Sequence, residues 1–207
     1  MLLLIIVIVI VLWYFSSPQF KGKVGETKVN LVLASSFAYS KHYLFSDIIV
    51  KYNGETTQID HVVISKRGVF VIETKNYSGW IFGNERQKQW TQVIYRKKYY
   101  FQNPLNQNYK HKLAIQKILG IDESKIISLV VFTNKSEFKT IMPYNVVQLG
   151  ELRRFLKFHK DIVFDDYQVD LLAERLKTAR LDKTLINKIT HIKNVRAKNR
   201  FRQTNWF

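Results

Sequence analysis

Apolar residues change their spacing several times along the 207-residue chain, and each spacing predicts an element. Residues 1–15 form an unbroken apolar run, followed by Ser16, Ser17 and Pro18. From residue 22 to about residue 34, Val24 and Leu31 recur at helical spacing, which predicts a helix with Glu26 in its first turns. Residues 43–51 and 56–66 read as strands, joined by Asn53-Gly54, a strong hairpin signal. A tight turn at Lys66-Arg67-Gly68 leads into a third strand, residues 69–75, rich in Val and Ile. Residues 76–84 read as a loop with a short strand at Trp80-Ile81-Phe82. Residues 90–95 form another expected strand, with Arg96-Lys97-Lys98 as its turn. Asn103 as cap and Pro104 at the first helical position open a helix that runs to Leu119 and stops at Gly120. Residues 126–133 and 146–149 are further strands. Beyond Gly150 the spacing turns helical: Val169, Leu172 and Leu176 share one face, and Leu185, Ile189 and Ile192 another. Residues 196–207 are expected to be disordered.

This order predicts an α/β domain: a helix, a three-stranded meander, a crossing helix and a further strand. An N-terminal transmembrane helix precedes it and a helical C-terminal extension follows. The expected divisions are an anchor at 1–20, a main domain at 21–150 and a basic helical region at 151–207.

The anchor has competitors. A cleaved signal peptide wants a positive start and a small-x-small site, and no Lys or Arg precedes Lys21. A buried core helix would not be expected to be apolar all round at a terminus. Residues 1–15 as a helix span about 22 Å at roughly 1.5 Å per residue; extension to Phe20 reaches the roughly 20 residues a bilayer asks for. Trp13 and Tyr14 would sit in an interfacial belt, and Lys21, Lys23 and Lys28 would hold the main domain on the cytoplasmic side of the cell membrane.

Charge narrows the partners. Lys and Arg number 33 against 16 Asp and Glu, a formal +17, which points to nucleic acid or an anionic lipid surface. Between Glu85 and Asp122 every charged residue is basic: Arg86, Lys88, Arg96, Lys97, Lys98, Lys110, Lys112 and Lys117. After Asp182 the tail is again only basic. Arg96, Lys97, Lys98 and Lys110 are the candidate phosphate contacts. Trp80, Trp90, Tyr95, Tyr99, Tyr100 and Phe101 interleave with the basic cluster, either as stacking surfaces for bases or as the core face of a hairpin. Cysteine is absent, which excludes disulfides, Cys-based zinc sites and thiol chemistry.

The candidate chemistry lies in the meander. Glu73 and Lys75 are two apart on a strand and share a face, while Thr74 points away. If the meander pairs as drawn, Asp60 lies beside Glu73. Two carboxylates and an ammonium then meet at one cavity. Mg²⁺ takes a few carboxylate oxygens and keeps several waters, so Asp60 and Glu73 would hold it, with the Thr74 carbonyl and Glu26 as further oxygens. Mn²⁺ is the alternative ion. Lys75 would orient the attacking water and steady developing charge. His61 should point to the opposite face, as a packed or solvent histidine rather than a ligand.

The runs Gln58-Ile59-Asp60-His61-Val62-Val63-Ile64, Gly68-Val69-Phe70-Val71-Ile72-Glu73-Thr74-Lys75-Asn76 and Ser78-Gly79-Trp80-Ile81-Phe82-Gly83 resemble the nuclease-related domain family. Gly25-Glu26, Asn103-Pro104 and Gln107 fit the same pattern, and the resemblance spans roughly residues 20 to 135. It implies a restriction-endonuclease-like core of the PD-(D/E)xK type. It implies Asp60 and Glu73 as metal ligands, Lys75 as the catalytic lysine, Glu26 as the helix-borne acid and Gln107 near the site. The expectation is a membrane-anchored, Mg²⁺-dependent nuclease acting on nucleic acid, DNA ahead of RNA. A catalytically idle binding module and a basic scaffold on anionic lipid are the alternatives.

Overall fold

A computed structural model describes Ile6, residues 18–133 and residues 135–182. Most of the expected anchor, the helix expected around Leu185 to Ile192 and the expected disordered end lie outside the described residues. Among the described residues no helix is long and apolar enough to cross a membrane.

The described segment from residue 18 opens with α1 (Pro18–Phe37), longer at both ends than the apolar spacing predicts. Strands β1 (His42–Tyr52), β2 (Glu55–Ser65) and β3 (Gly68–Lys75) follow as the expected antiparallel meander. Asn53 and Gly54 form the first turn with φ of 48° and 82°, the left-handed pair that a two-residue hairpin requires.

The chain then leaves the first sheet. Strands β4 (Gly79–Phe82), β5 (Gln89–Ile94) and β6 (Lys97–Gln102) form a second sheet, which β8 (Ser136–Phe138) completes in the order β6-β5-β4-β8. The predicted turn at Arg96-Lys97-Lys98 is corrected here. The turn residues are Tyr95 and Arg96, at φ 45° and 70°, and Lys97 and Lys98 open β6. Two side-chain-bearing residues in the left-handed region cost on the order of 1 kcal/mol each, which is why spacing alone favoured a longer turn. Strand β8 has only three residues and gives no periodic signal.

Helix α2 (Pro104–Leu119) starts and stops as its caps predict. The Asn103 side chain accepts from the Leu105 N–H, and Gly120 takes φ 64°. The helix returns the chain to the first sheet, where β7 (Ile126–Phe132) pairs parallel to β3 and β9 (Val146–Gln148) pairs parallel to β7. The five-stranded order is β1-β2-β3-β7-β9. Helices α3 (Leu152–Phe158) and α4 (Asp166–Ala179) close the described chain.

Strand β3 is central, and Val69 to Ile72 are fully buried. Alternation sends its side chains to two cores. Val69 and Val71 meet Ala114, Ile115 and Leu119 of α2 and Leu172 and Leu176 of α4. Phe70 and Ile72 meet Val29, Leu33 and Phe37 of α1. Burying each such side chain contributes about 1.5–3 kcal/mol. Asn108 ties α2 to the sheet: its amide nitrogen lies 2.9 Å from the Val71 carbonyl and 3.0 Å from the Leu129 carbonyl. It thereby spans β3 and β7 at their junction.

Candidate active site

The β2–β3 register pairs His61 with Ile72, so the next step along it sets Asp60 opposite Glu73. Asp60 Oδ2 accepts a hydrogen bond from the Thr74 backbone N–H at 2.8 Å. Glu73, only 2% exposed, accepts from Lys75 Nζ through Oε1 at 2.6 Å. The same ammonium donates to Gln107 Oε1 at 2.9 Å. Asp60, Glu73, Lys75 and Gln107 therefore converge where the middle of β2 and the C-terminal end of β3 meet the first turn of α2. Glu26 belongs to α1, on the other side of the sheet, and its charge still reaches Glu73. Gly25 permits that approach, since a Cβ there would lie 2.7 Å from Asn76 Cβ.

Burial dominates the electrostatics. It pushes the Glu73 carboxyl up to about 7; repulsion from Asp60 adds, the Lys75 ammonium opposes, and Glu26 adds a little. Burial also raises Asp60, against the Thr74 N–H and Lys75, with Asp47 adding to the rise. Desolvation and mutual repulsion oppose ionisation of the two carboxyls, one ammonium only partly offsets this, and a divalent cation would offset the rest.

Three neighbours escaped the sequence reading. His111 stands four residues after Gln107 on the same helix, and its Nδ1 lies 3.5 Å from Glu73 Oε2. Neither atom has a hydrogen-bond partner among the described residues. Burial, aided by Lys75, pushes His111 down to about 4, so at neutral pH this is a neutral imidazole facing a carboxyl group and not an ion pair. The i, i+4 spacing from Gln107 was the available signal. Asp47 lies between the pairs Ser46–His61 and Ile48–Ile59, so it stands across from Asp60, and it takes φ 52°. No pattern in the sequence marks that kink. Asn108 is the third, buried in the α2–sheet seam.

His61 behaves as expected of a packed residue. It is fully buried and pushed down to about 4 by desolvation. As a neutral ring it donates from Nδ1 to Asn30 Oδ1 at 2.9 Å and accepts at Nε2 from the Thr74 hydroxyl at 3.0 Å. Thr74 is thus held from both sides of the sheet, its N–H by Asp60 and its hydroxyl by His61.

The basic candidates are elsewhere. Lys110 is exposed on α2, and Arg96, Lys97 and Lys98 are exposed on the β5–β6 hairpin of the second sheet. Trp90 and Phe101 are core residues of that sheet, packed near Phe132, while Trp80, Tyr95, Tyr99 and Tyr100 remain exposed. The core reading therefore holds for Trp90 and Phe101, and the other four are surface residues.

The sequence profile of the nuclease-related domain matches residues 21–133. The chain belongs to the nuclease-related domain family. An uncharacterized protein of Bacillus anthracis, designated pXO1-01, is 36% identical over 181 residues, covering 85% of this chain and 84% of that protein. In this member of the family the matched segment runs from α1 through the end of β7. It therefore carries Glu26, Asp60, Glu73, Lys75, Gln107 and His111 together.

Whether these residues suit a metal is decided by the donor set. Among the described residues no group of three or more His, Asp or Glu side chains stands at ligating spacing. That argues against a closed, all-protein cage. Mg²⁺ asks for less: one or two carboxylates, with waters and substrate phosphates filling the rest. Asp60 and Glu73 meet that demand, and the orphaned, buried Glu73 Oε2 is an oxygen without a partner for a cation to satisfy.

Proposed function

We propose that this nuclease-related domain protein is a divalent-metal-dependent nuclease with a restriction-endonuclease-like core. The observation that carries the reading is the meeting of Asp60, Glu73 and Lys75 at one buried corner of the sheet. The mixed sheet, with α1 before it and α2 crossing between β6 and β7, supports the fold assignment.

Asp60 and Glu73 would hold Mg²⁺ or Mn²⁺, with the Thr74 carbonyl as an auxiliary oxygen, while Glu26, expected as a further ligand, acts on Glu73 through its charge from the other face. When bound, the ion supplies Lewis acidity and a more acidic water. Asp60 is oriented by the Thr74 N–H, which engages one of its two carboxylate oxygens. Lys75 stands ready to orient a water and to balance charge on the scissile phosphate. Gln107 is a second acceptor for the Lys75 ammonium beside Glu73, which removes rotational freedom from a four-carbon stem. The +17 formal charge favours a polyanionic substrate, with DNA placed ahead of RNA. Residues 1–20, uniformly uncharged, would anchor the protein in the cell membrane with the catalytic domain on the cytoplasmic side.

The test incubates the full-length protein in neutral detergent with labelled DNA and RNA, in Mg²⁺, in Mn²⁺ and in EDTA. Cleavage that requires the metal and is lost in Asp60→Asn and Lys75→Ala supports the reading. Cleavage that persists in EDTA or in Asp60→Asn removes it. Fractionation of cells before and after deletion of residues 1–17 tests the anchor, and loss of membrane association on deletion is the expected outcome.

A further inference from the structure

Strand alternation sorts the second sheet into two faces. The register pairs Trp90 with Phe101, and Ile81 with Gln92 and Gln92 with Tyr99. Trp90 and Ile81 are fully buried, so these rows face the core, against Phe132 of β7. The intervening rows face outward: Trp80–Val93–Lys98, and Phe82–Thr91–Tyr100. On that outer face Trp80 is 49% exposed and Tyr100 67% exposed. Lys139 Nζ lies 4.8 Å from the Trp80 ring centroid, and Lys139 also pairs with Glu137.

A cavity of about 520 Å³ opens beside this face, lined by Trp80, Val93, Ile94, Tyr95, Arg96 and the Ser78-Gly79 backbone. Gly79 lets the chain close down there: at φ 77° its Cβ would lie 2.3 Å from the Val93 carbonyl oxygen. The β5–β6 turn adds an independent observation. The Asn53-Gly54 turn uses the residues that left-handed φ prefers, but the equivalent turn here uses Tyr95 and Arg96, and Tyr95 is 96% exposed. The fold maintains strained backbone at a tip whose side chains it does not bury. Strain of that kind collects at functional sites.

We infer that the outer face of the β4–β6 sheet is a binding platform for single-stranded nucleic acid. An unpaired base enters the cavity against Trp80 and Tyr95, a neighbouring base stacks on Tyr100, and Arg96, Lys97 and Lys98 neutralise the phosphates. Stacking demands free base faces, which a duplex hides. The charge fits the same occupant, because every charged residue from Arg86 to Lys117 is basic. Trp80 follows Lys75 by five positions, so their Cα atoms stand at most about 18 Å apart, roughly five stacked nucleotides. The inference names the substrate class of the nuclease proposed above and rests on that reading for its role in catalysis, though not for binding.

The experiment uses the full chain in neutral detergent with EDTA, so that nothing is cut. Fluorescence anisotropy compares a labelled, unstructured oligonucleotide of about 16 nucleotides with its duplex. Trp80→Ala and Tyr100→Ala are each expected to weaken single-strand binding about 5- to 150-fold, while duplex binding changes by less than about 2-fold. Lys98→Ala should weaken both and lower the salt slope. Trp80→Phe and Tyr100→Phe, which keep a ring, should retain most of the affinity, which separates stacking from misfolding. Equal losses for duplex and single strand, or no loss on removing either ring, would each overturn the inference. Single-strand binding without cleavage in any metal leaves it standing and removes the nuclease. Metal-dependent cleavage of single strands unaffected by Trp80→Ala and Tyr100→Ala does the reverse.

Discussion

The Thr74 backbone N–H donates to Asp60 Oδ2 at 2.8 Å, and this bond crosses from β3 to β2 at the edge of the site. It engages one Asp60 oxygen, and the other is the one a cation would take. Replacing Asp60 by Asn keeps an oxygen acceptor for Thr74 but lowers the ligand's charge. The expected result is a fold within about 1 kcal/mol of the parent and metal-dependent cleavage lowered at least 100-fold. Asp60→Ala removes the acceptor as well and should cost a further 1–3 kcal/mol, roughly the desolvation of an unpaired N–H. Urea denaturation beside a cleavage assay separates the two effects; equal stability of the Asn and Ala variants would contradict the assigned hydrogen bond.

Gln107 touches Lys75, and its influence on any reaction passes through that ammonium. Gln107→Ala should lower kcat by about 10- to 100-fold, the range for losing a group that orients a working residue. Metal affinity should change less, because Gln107 holds neither Asp60 nor Glu73. A calorimetric metal titration that showed the larger loss in affinity would place Gln107 in a different role.

Buried titrating groups set a pH dependence of stability in metal-free protein. His61 is held down to about 4, against 6.5 in the unfolded chain. Between those values the unfolded state binds the extra proton. Stability is full above 6.5 and falls as pH drops toward 4, by up to about 1.4 kcal/mol per pH unit. His111 contributes with the same sign. Glu73, raised from 4.5 to about 7, acts oppositely: its contribution is full below 4.5 and is lost as pH rises through 7. Thermal melts in EDTA should therefore show His61→Gln with a flatter acid limb between pH 6.5 and 4. Glu73→Gln should show a steeper slope between pH 4.5 and 7. Identical profiles for both variants would exclude this assignment.

A cation at Glu73 must displace a proton that the carboxyl group holds up to about 7. Mn²⁺ binding near pH 7 should release a fraction of a proton and tighten as pH rises, by up to about tenfold per pH unit below 7. Calorimetry in two buffers of different ionisation enthalpy measures the release directly. Heats independent of buffer would place the ion away from Glu73.

The turn at Tyr95 and Arg96 carries backbone strain that Asn53-Gly54 avoids. Exchanging Tyr95-Arg96 for Asn-Gly should stabilise the domain by about 1 kcal/mol and weaken single-strand binding. A variant that gains stability and keeps full affinity would separate the turn from the platform.

The meander, the caps of α2 and the chemistry of β3 could be read directly from residue order. Asn53-Gly54, Asn103-Pro104 and Gly120 act through their own backbone preferences, which need no distant partner. The spacing of Glu73 and Lys75 gives a shared face because a strand has period two. The family resemblance rested on the same local runs, and the profile match to residues 21–133 has nearly the bounds those runs suggested.

What escaped depends on contacts between distant segments. His111 faces Glu73 only because α2 crosses β3 at one angle, and Asp47 faces Asp60 only through the β1–β2 register. The aromatic cluster of residues 80–101 could be read as core or as binding surface until pairing fixed which rows face Phe132. By itself, the order of residues determined the local elements, the charge and the identity of the candidate catalytic groups, because propensity, capping and alternation act within a few residues. Tertiary structure alone decided which carboxyls are desolvated together and which aromatics stay exposed, because burial is a property of packed neighbours brought together from distant parts of the chain.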